Sequence, residues 1–384
     1  MSSVAGLFPK AALPLALGWK TVALFDILFA SAVLLAWTRG AVRRLDLRLI
    51  AAAGAFVLAS VAALVAHPSQ EGAHLTLSLA YSAAVLVVAS HLRMAPRQAR
   101  AVILGAMALG LAFAWVTLAL ENGIGVIVGR NDSLALPSGL HRLGGLTGGN
   151  VLVLFLAIAA PLAHPSWFGI LALLMSGFPT LSRSMMGIGV AVLMGPLRLA
   201  DQRSPARTLA GLAAAAALLL GALAYLYLPL GTEPNVWRSG FGAGAYPGLH
   251  RAALRMWAEA PITGLGPGAF PEHWVEFSSD AERRAIPGNN PEHAAWDPHS
   301  AFLGLAAEQG LVGVAALIWL LGEIFARLRA ARDTHHRALA TAALVGLLVG
   351  GTLVDWLPLK GLWLWIGLLV AAAREEDGSE TAAR

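Results

Sequence analysis

The run LIAAAGAFVLASVAALVA, residues 49–66, holds eighteen residues and no charge. As a helix it would rise about 27 Å, close to the hydrocarbon thickness of a bilayer, and it reads as a transmembrane span. Arg48 stands before it and His67 after it. Comparable runs occupy residues 22–37, 75–92, 101–120, 209–230, 302–321, 338–354 and 357–373. Shorter ones lie at 151–162, 167–178 and 185–197, and a weak one at 4–18. The expected fold class is therefore all-α: a polytopic membrane protein of about twelve spans.

Bulk composition agrees. The chain is 57% hydrophobic and 13% charged, with a mean hydropathy of +0.68, whereas soluble domains carry about 25% charge. The net charge of +5 does not point to nucleic acid, because the basic residues fall in short clusters between apolar runs. No cysteine is present, which removes disulfides, thiolate catalysis and cysteine-ligated metals. Pro9 and Lys10 interrupt the first apolar stretch, so a cleavable signal peptide is not expected. No internal repeat is visible.

The arginine clusters orient the spans. Arg39, Arg43, Arg44 and Arg48 crowd one connection; Arg93, Arg97 and Arg100 crowd the next but one. Arg198, Arg203 and Arg207 mark another, and Arg327, Arg329, Arg332 and Arg337 a fourth. These alternate connections are cytoplasmic by the positive-inside rule, which puts both termini there too. The expected organisation is a bundle over 1–230 (spans one to nine), an external lid over 231–298, a second bundle over 299–373, and a disordered cytoplasmic tail over 374–384.

The lid is where the composition changes. It contains HRAALRMWAEAPITGLGPGAF (250–270), and the chain turns apolar again through DPHSAFLGLAAEQGLVG (297–313). Residues 247–260 read as a short helix, Pro near its start and Pro261–Gly264 ending it. Leu249, Ala252, Ala253, Met256 and Ala260 form its buried face. Arg251 and Arg255, four apart, share the other face, where they serve either as a fork for one diphosphate or as a solvated basic surface. The glycine run 264–268 follows a helix and no strand, so it is a tight turn carrying Phe270 and Trp274 toward the membrane surface and not a dinucleotide loop.

Other external cations stand out because insertion does not require them: Arg130, Arg142, Arg183, Arg238, Arg283 and Arg284, with His141, His250, His273, His293 and His299 on the same side. Arg183, in the turn LSRSM, is either a functional charge at the membrane surface or an arginine snorkelling to headgroups. His299, just before a span, is either a proton acceptor or ordinary surface. His293, Asp297 and His299 lack zinc-signature spacing. Asp26 and Asp355, at external ends of spans, are alternative partners for a histidine or an arginine.

LSRS with a following apolar helix, then L-x-M-x-x-x-x-P-x-x-G-x-G-P-G-x-F, then P-H-S-x-F-L-x-x-x-x-E-x-G-L-x-G, together resemble the bacterial O-antigen ligase and polymerase family over about residues 167–328. The resemblance implies a metal-free, cofactor-free glycosyltransferase of the inner membrane with its site facing the periplasm. Its expected activity is that of an O-antigen ligase, moving glycan from undecaprenyl diphosphate to lipid A–core with inversion. Related alternatives are an O-antigen polymerase and a protein O-oligosaccharyltransferase; a lipid-linked glycan transporter is the non-enzyme alternative. The family histidine maps to His299, as general base or acceptor orienter. Its diphosphate arginines map to Arg183 and Arg251, with Arg142 and Arg255 as helpers. Two departures appear: Ser300 stands where relatives have Asn, and Asp297-Pro298 where many carry a second His.

Overall fold

The computed structural model describes residues 16–17, 20–21, 24–42, 44–123, 134–135, 141–142, 149–163, 167–180, 217, 220–221, 245–285, 297–332 and 334–378. Two tiny antiparallel ladders occur. One pairs β1 (Ala16–Leu17) with β2 (Lys20–Thr21), and the other β3 (Leu134–Ala135) with β4 (His141–Arg142). The other described elements are helices: α1 (Leu24–Thr38), α2 (Leu47–Ala66), α3 (Gln70–Ser90), α4 (Pro96–Gly123), α5 (Gly149–Ala159) with a 3-10 turn (Ala160–Leu162), and α6 (Trp167–Thr180). After these come α7 (Ala245–Glu259), the short α8 (Ala269–His273) and α9 (Asp280–Ala285), and then α10 (Ala301–Arg329), α11 (Thr334–Gly350) and α12 (Lys360–Gly378).

Helices stand at nine of the apolar runs. Among the described residues four are long and apolar enough to cross a membrane: Leu47–Ala66, Gln70–Ser90, Pro96–Val116 and Ala301–Arg329. Shorter apolar helices lie at Phe29–Thr38, Leu152–Leu162 and His336–Gly350. The expected spans at 4–18, 185–197 and 209–230 lie wholly or mostly outside the described residues. α12 runs to Gly378, past Arg374, where the tail was expected to begin.

Small residues let the helices approach. A Cβ on Gly367 of α12 would lie 2.6 Å from that of Ala89 on α3, the close contact that membrane helices use in place of a hydrophobic driving force. Aromatic rings fill the centre: Trp363 lies 6.0 Å from Phe56 and 5.2 Å from Trp356, and Trp365 meets Phe155 edge-on at 4.7 Å. Meanwhile Leu58, Val65, Leu109, Ile318 and Trp319 point outward, as lipid-facing side chains do.

One end of the bundle is tied by charge. Asp46 caps α2 through the Leu49 amide and takes a two-pronged ion pair from Arg327, Nε to Oδ2 at 2.6 Å and Nη2 to Oδ1 at 2.7 Å. The Asp46 amide donates to His91 at the end of α3, and Arg374 of α12 donates to the Ser90 carbonyl. The arginine-rich connections at 39–48, 93–100 and 327–337 therefore gather at one end of the bundle. The segments 245–285, 297–300 and 351–359 gather at the other.

α10 departs most from expectation. The apolar run 302–321 reads as one span, but Gly310 has φ 62° and ψ −159° and breaks the helix. A straight helix of its 29 residues would measure about 43 Å. Its lower end meets α2 at Asp46, and its upper end meets α11, where the Ala301 amide donates to the Gly351 carbonyl at 2.8 Å. Those neighbours have 20 and 17 residues, roughly 30 and 26 Å. The half-helix 301–309 and the rest of α10 therefore follow different directions on either side of Gly310.

The break is filled by the glycine loop. Leu265 and Gly266 donate to the carbonyls of Ala307 and Glu308, while Leu311 and Val312 donate to those of Pro261 and Ile262. Backbone groups orphaned by the break thus find partners, as any polar backbone at that depth must. Contact is too close for side chains: a Cβ on Gly264 would lie 2.3 Å from the Glu308 carbonyl carbon, and one on Gly266 2.7 Å from the His67 Cβ. The turn is wedged between the break in α10 and the α2–α3 connection.

Candidate active site

The sequence Asp-Pro-His-Ser builds the centre of the site. Asp297 Oδ1 accepts from the His299 amide at 2.6 Å, an Asx turn of the kind aspartate forms two residues ahead. Pro298 is buried, and only a glycine at 304 leaves room for its ring: a Cβ there would lie 2.7 Å from Pro298 Cγ. The turn sets His299 at φ 49°, the one positive φ of a non-glycine among the described residues. Such conformations cost about 1–3 kcal/mol and gather at functional sites. Ser300 then caps α10 by accepting from the Leu303 amide at 3.3 Å. Both departures from the family pattern have local structural roles.

His299 Nδ1 contacts Asp297 Oδ1 at 2.5 Å. A proton on Nδ1 shared with this carboxylate fixes the tautomer and assigns the lone pair to Nε2. Desolvation pushes Asp297 up, but the adjacent imidazole outweighs it and holds the carboxyl below its ordinary value. Asp355, between α11 and α12, is pushed up to about 7 by desolvation and then by the charge of Asp297. Asp355 thus lies in the field of the Asp297–His299 pair. The partner gripping the imidazole is nevertheless Asp297, which the sequence raised only beside His293 and His299 as a metal site. The D-x-H spacing of an Asx turn was the available signal.

α7 forms the facing wall. Tyr246, 5% exposed, stacks on His299 with centroids 5.2 Å apart and an interplanar angle of 39°. The same ring meets His250 edge-on at 6.2 Å. Burial pushes His250 down to about 4, while a hydrogen bond to the His299 backbone opposes that shift. α7 forms as expected: Leu249, Ala252, Ala253 and Met256 are fully buried, packed with Phe270, Trp274 and Ala307. Glu308, just above the break, accepts from the Phe270 amide at 3.2 Å and holds this lobe to α10.

Arg251 and Arg255 do share the outer face of α7, 53% and 46% exposed, but they already fork around Glu282 of α9. Arg251 Nε reaches Oε1 at 2.5 Å; Arg255 Nη1 reaches Oε2 at 2.7 Å and its Nη2 reaches Oε1 at 3.2 Å. Arg255 Nη1 also donates to the Phe277 carbonyl at 2.7 Å. Glu282 is 6% exposed and takes a further bond from the Ser279 amide at 2.8 Å. Arg255 first, with Ser279 and Arg251, holds its carboxyl far below the ordinary range against desolvation. The two arginines differ in consequence: among the described residues Arg255 spends both terminal nitrogens, and Arg251 spends only Nε.

The remaining sequence candidates sort as follows. Arg183, Arg130, Arg238 and His293 lie outside the described residues. Arg142 and His141 are placed only as backbone, in β4 opposite Leu134 and Ala135. His273 pairs with Glu276 at the surface, and Arg283 binds the Val275 and Ser278 carbonyls and Asp280. Among the described residues no three metal-ligating side chains come together.

With this geometry in place, the comparison with known families is direct. Residues 166–318 match the family model Wzy_C, O-antigen ligase. That stretch carries the domain that marks the O-antigen ligase and polymerase family. The match covers α7 to α9, most of α10 and the Asp297–His299 turn; Arg142 and Asp355 fall outside it. Members of this family are glycosyltransferase-like enzymes acting on lipid-linked glycans, and the apolar helices agree with a membrane location. No curated protein matches the chain significantly.

Proposed function

We propose that the protein is an O-antigen ligase, taking glycan from undecaprenyl diphosphate on the periplasmic face of the inner membrane. The acceptor is a hydroxyl of lipid A–core. The observation that carries the reading is the Asp297–His299 pair, held in a left-handed turn at the end of the bundle opposite the arginine clusters, facing the helix that presents Arg251. The acceptor oxygen attacks the anomeric carbon and its proton passes to His299 Nε2. The bond from that carbon to the diphosphate oxygen breaks, and its electron pair leaves with the diphosphate. Direct displacement inverts the anomeric centre. Asp297 holds the imidazolium as it forms.

Charge grows on the diphosphate as the bond breaks, and fixed guanidiniums are suited to compensate it. Arg251 and Arg183 take that role, with Arg142 as a helper. Arg255 acts from behind, through Glu282. A transporter reading draws less support. α10 is broken, as transporter helices often are, but its ends are stitched by the protein's own loop and not offered to a substrate.

Purified protein mixed with lipid-linked O-antigen is offered lipid A–core, a second lipid-linked glycan, or a pilin-like protein. A ligase adds mass to lipid A–core. Extension of the second glycan instead would make the enzyme a polymerase, and glycosylated pilin a protein O-oligosaccharyltransferase.

A further inference from the structure

We infer that Glu282 is a positioning residue for the donor: it locks Arg251 by its Nε edge, so that both terminal nitrogens face the diphosphate. This rests on the reading of Arg251 as a donor ligand. Glu282 sits beneath the two guanidiniums with its own side chain 6% exposed, while those above it are half-exposed. Its Oε1 receives Arg251 Nε and Arg255 Nη2; its Oε2 receives Arg255 Nη1 and the Ser279 amide. A carboxylate with four donors has its lone pairs occupied and cannot rotate freely.

The backbone supports the same geometry. Gly248 brings α7 against α9, where an added Cβ would lie 3.4 Å from Glu282 Cβ. Ser279 Oγ accepts from the Glu282 amide at 3.3 Å and fixes the start of α9. A guanidinium presents five N–H groups in one rigid plane. Fixing the single Nε–H of Arg251 therefore fixes the direction of the other four. A free arginine side chain would lose about 2 kcal/mol of rotamer entropy when a ligand captures it, and Glu282 removes much of that cost beforehand. Glu282 also cancels one of two adjacent positive charges, which keeps Arg255 from competing for the phosphate.

The test compares Glu282→Gln, Glu282→Asp, Arg251→Ala and the double variant Glu282→Gln with Arg251→Ala. Initial rates are measured against lipid-diphosphate donor at saturating acceptor, then the reverse, with melting in detergent as the check on folding. Glu282→Gln is expected to raise the donor KM about tenfold with kcat and acceptor KM within about twofold. Glu282→Asp, which keeps the charge on a shorter stem, should lie between it and the wild type. In the Arg251→Ala background Glu282→Gln should add nothing further. An unchanged donor KM in a folded Glu282→Gln or Glu282→Asp, with Arg251→Ala impaired, overturns the inference alone. So does a full additional loss in the double variant. If Arg251→Ala itself leaves the donor KM unchanged, the donor role of Arg251 falls first.

Discussion

At the scale of single residues, the Asp297 side chain does two jobs that mutation can separate. Its Oδ1 accepts from the His299 amide and also contacts the His299 ring. Asn keeps an acceptor for the turn but no charge for the imidazolium, so Asp297→Asn should fold normally and lose roughly a hundredfold in kcat. His299→Ala should abolish transfer with the protein still in the membrane, as measured by glycan transfer in purified protein. His250 and Asp355 are expected to leave opposite marks on the pH dependence of stability. The folded pKa of His250 is lowered from 6.5 to about 4, so its contribution is present above pH 6.5 and lost as pH falls through 4. That loss is on the order of 3 kcal/mol. Asp355 is raised from 3.8 to about 7, so its contribution is present below 3.8 and lost as pH rises through 7. Melting curves between pH 4 and 7 should therefore flatten at the acid side in His250→Phe. In Asp355→Asn they should gain stability increasingly toward pH 7. Parallel curves for all three proteins would refute both assignments.

At the scale of elements, sequence periodicity anticipated α7 closely, because one apolar face and two proline boundaries define it. It also put Arg251 and Arg255 on the outer side. It did not anticipate Glu282, since the residue meeting both arginines lies 27 and 31 positions away, in a six-residue helix with no periodic signal. Nor did it anticipate the break in α10. The run 302–321 is apolar throughout apart from Glu308 and Gln309, and a single glycine inside a span is ordinary. Only the partner loop shows that Gly310 must adopt φ 62°. Gly310→Ala would combine that φ with a Cβ 2.3 Å from the Ile262 carbonyl oxygen. A loss of about 3 kcal/mol or more is expected, read as a lower melting temperature in detergent. Gly322→Ala, with open space around it, should be close to neutral and serves as the control.

At the scale of the whole molecule, the alternation of arginine clusters was the most informative feature of the sequence. It sorted the connections onto two sides, and the structure gathers the clusters at 39–48, 93–100 and 327–337 at one end through Asp46, Arg327 and Arg374. The cluster at 198–207 lies outside the described residues. The absence of cysteine makes the orientation directly measurable. Arg284→Cys in the lobe should react with a membrane-impermeant maleimide in cells whose inner membrane is intact. Arg329→Cys should react only after that membrane is opened. The reverse pattern would invert the topology and remove the periplasmic site with it.

The glycine loop and the broken helix also bear on how members of such a family can exchange parts. Four backbone hydrogen bonds run between residues 261–266 and 307–312, and the loop's glycines fit against the α2–α3 connection without room for a methyl group. A chimera that imports only residues 245–285 from a relative would bring a loop shaped to someone else's break. The smallest unit that can be transplanted intact runs from Ala245 through Gly313, and it carries His299 along. The proposed donor ligand Arg251 and the proposed base His299 would therefore be inherited as one cassette, leaving the α2–α3 connection as the seam to be matched.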